Sequence, residues 1–215
     1  MKVLSIGSSD IDLFITPENP QSFVQNENTV SFSLGDKIPI KMNATTLGGN
    51  AANVSVGLKR LGLDSSLYTF LGPDVLSRQI VEALNKEEIE ILESKTQLAT
   101  TALSIICNFN TDRIIFSHHD VIPHEIDSSK LQHFQGFYVT SIGKECVDAY
   151  KTIVEYVHTN TTTLAFSPGS PQLADLQDVV YEMIACSKIL FVNKEEGEKL
   201  LEKKGESASD MKELL

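Results

Sequence analysis

Apolar positions change period several times along the chain, and each change marks a predicted element. Residues 3–6 form a short apolar run that stops at Gly7-Ser8-Ser9, the pattern of a buried strand ending in a turn. Between 11 and 41 the period is two. Val30, Phe32 and Leu34 alternate with Ser31 and Ser33, and Ile38 and Ile40 with Lys37, Pro39 and Lys41. A single apolar face at that period predicts half-exposed antiparallel strands. Over 50–61 the spacing becomes helical, with Ala51, Val54, Leu58 and Leu61 on one stripe and Gly62 just past its end, where a left-handed residue closes a helix. A strand over 67–71 and an amphipathic helix over 74–85 follow. Two β-rich runs, 101–107 and 113–116, flank the hairpin loop 108–112.

After that the alternation is regular. Strands are predicted over 137–140, 163–166 and 189–192, and helices over 145–157, within 171–185 and over 194–204. Strand–helix units of this length imply a parallel sheet covered on both faces. The β-rich pieces within 11–41 and 98–117 do not fit that sheet and predict a separate small β-layer inserted between the units. The final residues, 205–215, read as a turn, a helix cap near Ser209 and a helix only just begun. Such a stub forgoes most of a helix's packing, so the sequence is expected to be a fragment, with residues 1–215 forming an incomplete domain.

Size and charge narrow the function classes. The chain has 215 residues, the length of one domain or one plus a small appendage. The balance of 18 Lys+Arg against 29 Asp+Glu gives a net charge of −11. The basic residues cluster no further than the pairs Lys59-Arg60 and Lys203-Lys204, which argues against nucleic acid as a partner. No run approaches the ~18 apolar residues of a membrane span, and the N-terminal run is too short for a signal-peptide core. Cys107, Cys146 and Cys186 are far apart and form no CxxC, as expected of buried thiols in a reducing cytoplasm.

Three constellations carry candidate chemistry. Asp10 and Asp12 follow the opening strand, where open α/β sheets bind ligands. The pair either holds hydroxyls or a metal, or caps a turn. Gly48-Gly49-Asn50-Ala51-Ala52-Asn53 opens a helix. A glycine turn with an Asn cap accounts for Asn50 but not for Asn53, a poor helix former in the first turn. Two amides three apart share one face, which favours a polyol or phosphate site. Asn193 and Glu196 follow the strand at 189–192; they are either a reciprocal helix cap or an amide and a carboxylate near a metal–phosphate. His118-His119-Asp120 and Pro123-His124-Glu125 have metal-ligand residue types, but neighbouring strand residues point apart and Pro123 blocks a helical pair, so this segment reads as a solvated loop. An Asp10-Ile11-Asp12 phosphatase of the haloacid-dehalogenase type is a weaker reading, because Gly7-Ser8-Ser9 separates the motif from its strand.

These residues resemble a known family. Gly48-Gly49-Asn50-Ala51-Ala52-Asn53-Val54, then Gly57, Leu61-Gly62 and Leu71-Gly72-Pro73-Asp74, is similar to the first signature of ribokinase/PfkB carbohydrate kinases. The segment 6–12 resembles that family's first strand and its substrate-binding Asp, and Asn193-x-x-Glu196 its N-x-x-E motif. The resemblance implies a Rossmann-like α/β ribokinase fold with a small β-lid and ATP- and Mg²⁺-dependent phosphorylation of a hydroxymethyl group on a sugar or nucleoside. It implies that Asp10, Asp12, Gly48, Gly49, Asn50 and Asn53 bind substrate and that Asn193 and Glu196 organise the Mg²⁺–phosphate region. A monovalent cation is a further candidate cofactor, and a homodimer through the β-lid a candidate assembly. The family's G-A-G-D signature, with the catalytic Asp, is expected beyond Leu215. A non-catalytic sugar-binding protein is the alternative.

Overall fold

The computed structural model describes residues 1–204 except Lys95, Gln97, Thr111, Leu176 and Gln177. In chain order the elements are β1 (Lys2–Ile6), β2 (Asp10–Pro17), β3 (Val24–Gln25), β4 (Val30–Ser31), β5 (Ile40–Gly48), α1 (Asn50–Arg60), β6 (Asp64–Thr69), α2 (Val75–Lys86) and β7 (Glu90–Glu93). There follow β8 (Leu103–Asn108), β9 (Arg113–His118), β10 (Gly136–Val139), α3 (Val147–Thr159), β11 (Thr163–Phe166), α4 (Ser170–Ala174), α5 (Asp178–Cys186), β12 (Ile189–Leu190) and α6 (Lys194–Lys204).

Six strands form one parallel sheet in the order β12-β11-β10-β1-β6-β7. Val3, Leu4, Ser5 and Ile6 of β1 are all buried, because a central parallel strand is covered on both faces. On one side Phe137, Tyr150, Ile153, Leu164, Val180 and Met183 form the larger core. On the other, Ala51 and Ala52 of α1 pack with Leu67, Ile80 and Leu84. The helical stripe read over 50–61 thus faces the sheet, and Gly62 closes α1 with φ of +85°.

The second sheet has the order β5-β2-β8-β9. Its outer pairs are antiparallel, but the central pair β2–β8 is parallel. Both central strands run outward from the larger sheet, while β5 and β9 return to it. The expectation of a wholly antiparallel layer is corrected on that point.

Other expectations shift locally. The alternation at 30–40 yields only the short ribbon β3–β4, with Leu34 fully exposed. The long strand lies later, at β5, and escaped notice because seven of its nine residues are exposed and nothing forces an apolar face there. The strand expected at 67–71 begins three residues earlier, since buried Ser65 and Ser66 disguise its start. The helix expected within 171–185 is two, α4 and α5. β7 was not expected, although its Ile91 and Leu92 pack against the two cores. The expected cap near Ser209 and the helix after it lie outside the described residues. Among the described residues no helix is long and apolar enough to cross a membrane.

Candidate polyol site between the two sheets

A cavity of about 680 Å³ lies where the two sheets meet. Its floor is made by loops at the carboxyl ends of β1, β10 and β11, through Ser8, Ser9, Ser141, Gly143 and Gly169, the position where open α/β sheets hold ligands. One side is the start of α1, with Gly49, Asn50 and Asn53; the roof is the second sheet, with Asp10, Asp12, Ser104 and Ser117. Five of the predicted residues therefore converge on one space: Asp10, Asp12, Gly49, Asn50 and Asn53.

Asp10 and Asp12 do not cap a turn. They open β2, two residues apart on one face, with Asp12 opposite Ser104 of β8 and Asp10 opposite Gly48 of β5. Gly48 makes this pairing possible. A Cβ there would collide with Asp10 Oδ1 and come within 2.5 Å of Asp12 Oδ2, so both carboxylates share the space that a side chain would fill. Asp10 is 6% exposed, and its Oδ1 has no hydrogen-bond partner among the described residues. Burial, reinforced by the charge of Asp12, raises its pKa from the ordinary 3.8 to about 6, against the pull of the Ser104 hydroxyl. Burial also raises Asp12, again against Ser104. A pair of desolvated carboxylates with an unsatisfied oxygen suits a ligand that brings hydroxyl donors.

At the start of α1 the structure corrects one reading. The cap is Gly49, without a side-chain cap bond, and Asn50 is the first helical residue. Gly49 has φ of +89°, and a Cβ would stand 2.5 Å from Ser8 O and from Ser9 Cα. Only glycine lets the chain turn here against the end of β1. Ala51, Ala52 and Ser55 face the core, which leaves Asn50 and Asn53 to line the cavity.

Asn193 and Glu196 stand apart from this cavity, after β12. Asn193 Oδ1 accepts from Glu196 N at 2.9 Å, and Glu196 Oε2 accepts from Asn193 N at 2.9 Å. That is a reciprocal helix cap at the head of α6. Both groups sit at a strand's carboxyl end with the second Glu196 oxygen outside the cap, the kind of sparse oxygen set that Mg²⁺ takes alongside waters and phosphate.

The histidine segment is exposed at His118, His119, Val121, Pro123 and Glu125, as expected of a solvated loop, but Asp120 and His124 turn inward. Asp120 Oδ2 accepts from Ala99 N at 2.6 Å and Thr100 N at 3.0 Å, while Thr100 Oγ1 meets His118 Nε2 at 2.7 Å. His124 is 5% exposed, its ring edge-on to Phe70 with centroids 4.4 Å apart. His119, Asp120, Val121 and His124 line the cavity together with Phe70, Leu98 and Ala102. Composition made this segment look polar, and only the backbone amides of 99–100 explain why it packs. Ser104 was legible in part, as the lone polar residue in the apolar run 102–107.

Residues 2–215 match the model of the pfkB family carbohydrate kinases. The chain belongs to the pfkB family. A provisionally named sugar kinase of Pyrococcus horikoshii is 36% identical over 61 residues, which is 28% of this chain and 20% of that protein. The matched segment thus spans one fifth of the length of that curated relative. Among solved structures, a ribokinase from Thermotoga maritima superposes with a TM-score of 0.71 at 20% identity, over 99% of this chain and 68% of that one. A carbohydrate kinase from Agrobacterium tumefaciens gives 0.74 at 16% identity, over 93% and 63%. A fructokinase from Xylella fastidiosa with bound ATP gives 0.65 at 14%, over 99% and 67%. These likenesses carry the fold: the pfkB chain described here shares their parallel sheet flanked by helices.

Proposed function

We propose that this chain is the substrate-binding part of an ATP-dependent carbohydrate kinase that phosphorylates a hydroxymethyl group of a sugar or nucleoside. The observation that carries the reading is the convergence of Asp10 and Asp12 over Gly48, beside Asn50 and Asn53. Carboxylates accept from vicinal hydroxyls and the two amides both donate and accept, so the set matches a polyol. The D-x-D phosphatase reading loses its basis, because the two Asp belong to β2 of the second sheet rather than to a loop after a strand of the parallel sheet.

Residues 1–215 are proposed as one ribokinase-like domain. The second sheet, built from strands within 11–41 and 98–117 and from β5, acts as a lid. Its closure would exclude water so that the phosphoryl group reaches the hydroxyl. ATP would supply the phosphoryl group and Mg²⁺ would neutralise its charge; Asn193 and Glu196 are the residues proposed to face them. The resemblance assigns the base to a G-A-G-D segment that is not among these 215 residues, so turnover is proposed for a protein that supplies that segment. No described residue is assigned to a monovalent cation. The exposed Met42, Ile115 and Phe116 of the second sheet support a homodimer through the lid. The cytoplasm is the proposed location.

Calorimetry with D-ribose and D-fructose, for the wild type and Asp12→Ala, tests the reading. Binding by the wild type and at least tenfold weaker binding by the variant are expected. A protein that binds no polyol, or whose polyol affinity ignores Asp12, is not built as proposed.

A further inference from the structure

The cavity floor is shared between two segments. Ser141, Gly143 and Lys144 follow β10, and Gly169, Ser170 and Pro171 follow β11. The parallel ladder that aligns these strands ends at Val139 and Phe166, with one last bond from Ser167 N to Val139 O at 2.8 Å. Past that point no backbone bond among the described residues joins 141–144 to 168–171. The two segments nevertheless touch. A Cβ on Gly169 would stand 2.5 Å from Ser141 Cβ and 2.8 Å from its Oγ. The side chain of Gln172, the third residue of α4, spans the gap. Its Oε1 accepts from Gly169 N at 3.1 Å, its Nε2 donates to Gly143 O, and Cys146 Sγ lies 3.7 Å from the same nitrogen. The bond to Gly169 is half of an ordinary helix cap. The bond to Gly143 is not part of any cap, and it ties one segment to the other.

Gln172 is 2% exposed and is not itself among the residues that line the cavity. A buried glutamine is a poor way to gain stability. Its side chain loses water and rotamer freedom, and its hydrogen bonds mostly replace those it made in water. A methionine would fill the same length with no strong polar group of its own to satisfy. What the amide adds is geometry, because a fully satisfied buried network admits one arrangement of its partners. Here the partners are the two halves of the floor. The first half has a second anchor, since the buried Tyr150 of α3 donates from its hydroxyl to Thr140 O at 2.9 Å. The half after β11 is therefore the one that Gln172 holds in register, and a ligand meets Ser141, Gly143 and Gly169 already in place.

We propose that Gln172 is a positioning residue for the polyol: it sets the distance between the segments after β10 and β11, and through them the fit of the floor to the ligand. This rests on the polyol reading of the cavity. The test is calorimetry with D-ribose and D-fructose on the wild type, Gln172→Met and Leu173→Ala, each checked for a cooperative melt. Leu173, 3% exposed beside Gln172 in α4, is the control, since its truncation leaves a cavity without removing either bond. Whichever sugar the wild type binds is expected to bind Gln172→Met at least fivefold more weakly. Leu173→Ala should melt at as low a temperature or lower and keep its affinity within twofold. In NMR, the amide shifts that the sugar induces at Ser141, Gly143 and Gly169 should shrink in sugar-saturated Gln172→Met, while those at Asn50 and Asn53 persist. If Gln172→Met does not melt cooperatively, the wild type decides. Amide exchange at Gly169, whose N–H Gln172 holds, should then slow at least tenfold on sugar binding, and unchanged exchange overturns the proposal. Affinity that follows melting temperature across the two variants, or that ignores Gln172→Met, overturns it as well and leaves the polyol reading standing. A wild type that binds neither sugar overturns the polyol reading and this inference with it.

Discussion

At the scale of single residues, Asp10 holds an unfavourable position when ionised. Its pKa of about 6 lies above the unfolded value of 3.8, so the folded state binds more protons between those limits. By linkage, stability falls as pH rises from about 4 to about 6 through this group, and is flat in this respect above it. Ionised Asp10 therefore destabilises the fold at neutral pH. Asp10→Asn is expected to raise Tm at pH 7.5 by a few degrees while abolishing polyol binding, measured by thermal melts and calorimetry on the same samples. The gain should vanish when the melts are repeated at pH 4. Gly48→Ala tests the same space from the other strand. Its methyl group must displace both carboxylates, at a cost of about 1–3 kcal/mol in urea unfolding and with loss of the ligand.

At the scale of elements, two acidic residues fasten chain segments. Asp74 caps α2 through Ser77 N at 2.9 Å and also takes Thr101 N at 2.7 Å, and these bonds hold its carboxyl below the usual range although partial burial opposes them. Asp74→Ala removes a cap and a tie together, and about 1–2 kcal/mol of stability should go with them, with faster amide exchange at Thr101 as the local readout. Asn193→Ala breaks the reciprocal cap of α6 and should cost about 1 kcal/mol. Polyol affinity should be unchanged, because Asn193 lies outside the cavity lining. A drop in that affinity would mean that α6 reaches the site. Element-scale order was legible where burial is two-sided or helical: β1, α1 and β11 lie where the apolar pattern put them. β5 was not, because an edge strand with exposed faces needs no pattern, and neither was β7, whose four residues are too few to show one.

At the scale of the whole molecule, the lid sheet leaves Met42, Ile115 and Phe116 at 64%, 50% and 58% exposure. Exposed apolar strands invite pairing or burial. Phe116→Glu should shift a dimer to monomer in analytical ultracentrifugation, and a wild type that is already monomeric at micromolar concentration would dispose of the lid dimer.

The sequence by itself determined the family and the alternation of strands and helices, because the glycine–asparagine signature and the apolar periods are local properties of the chain. It also picked out five residues of the cavity, since Asp10, Asp12, Gly49, Asn50 and Asn53 are unusual where they stand. Tertiary structure alone decided what surrounds them. Which strands of the lid run parallel, that Gly48 makes room for two carboxylates, and that Asp120 takes the backbone amides of 99 and 100 all depend on residues distant in sequence coming within bonding distance. So does the rise in the pKa of Asp10, which burial and a neighbouring charge produce and no local pattern records.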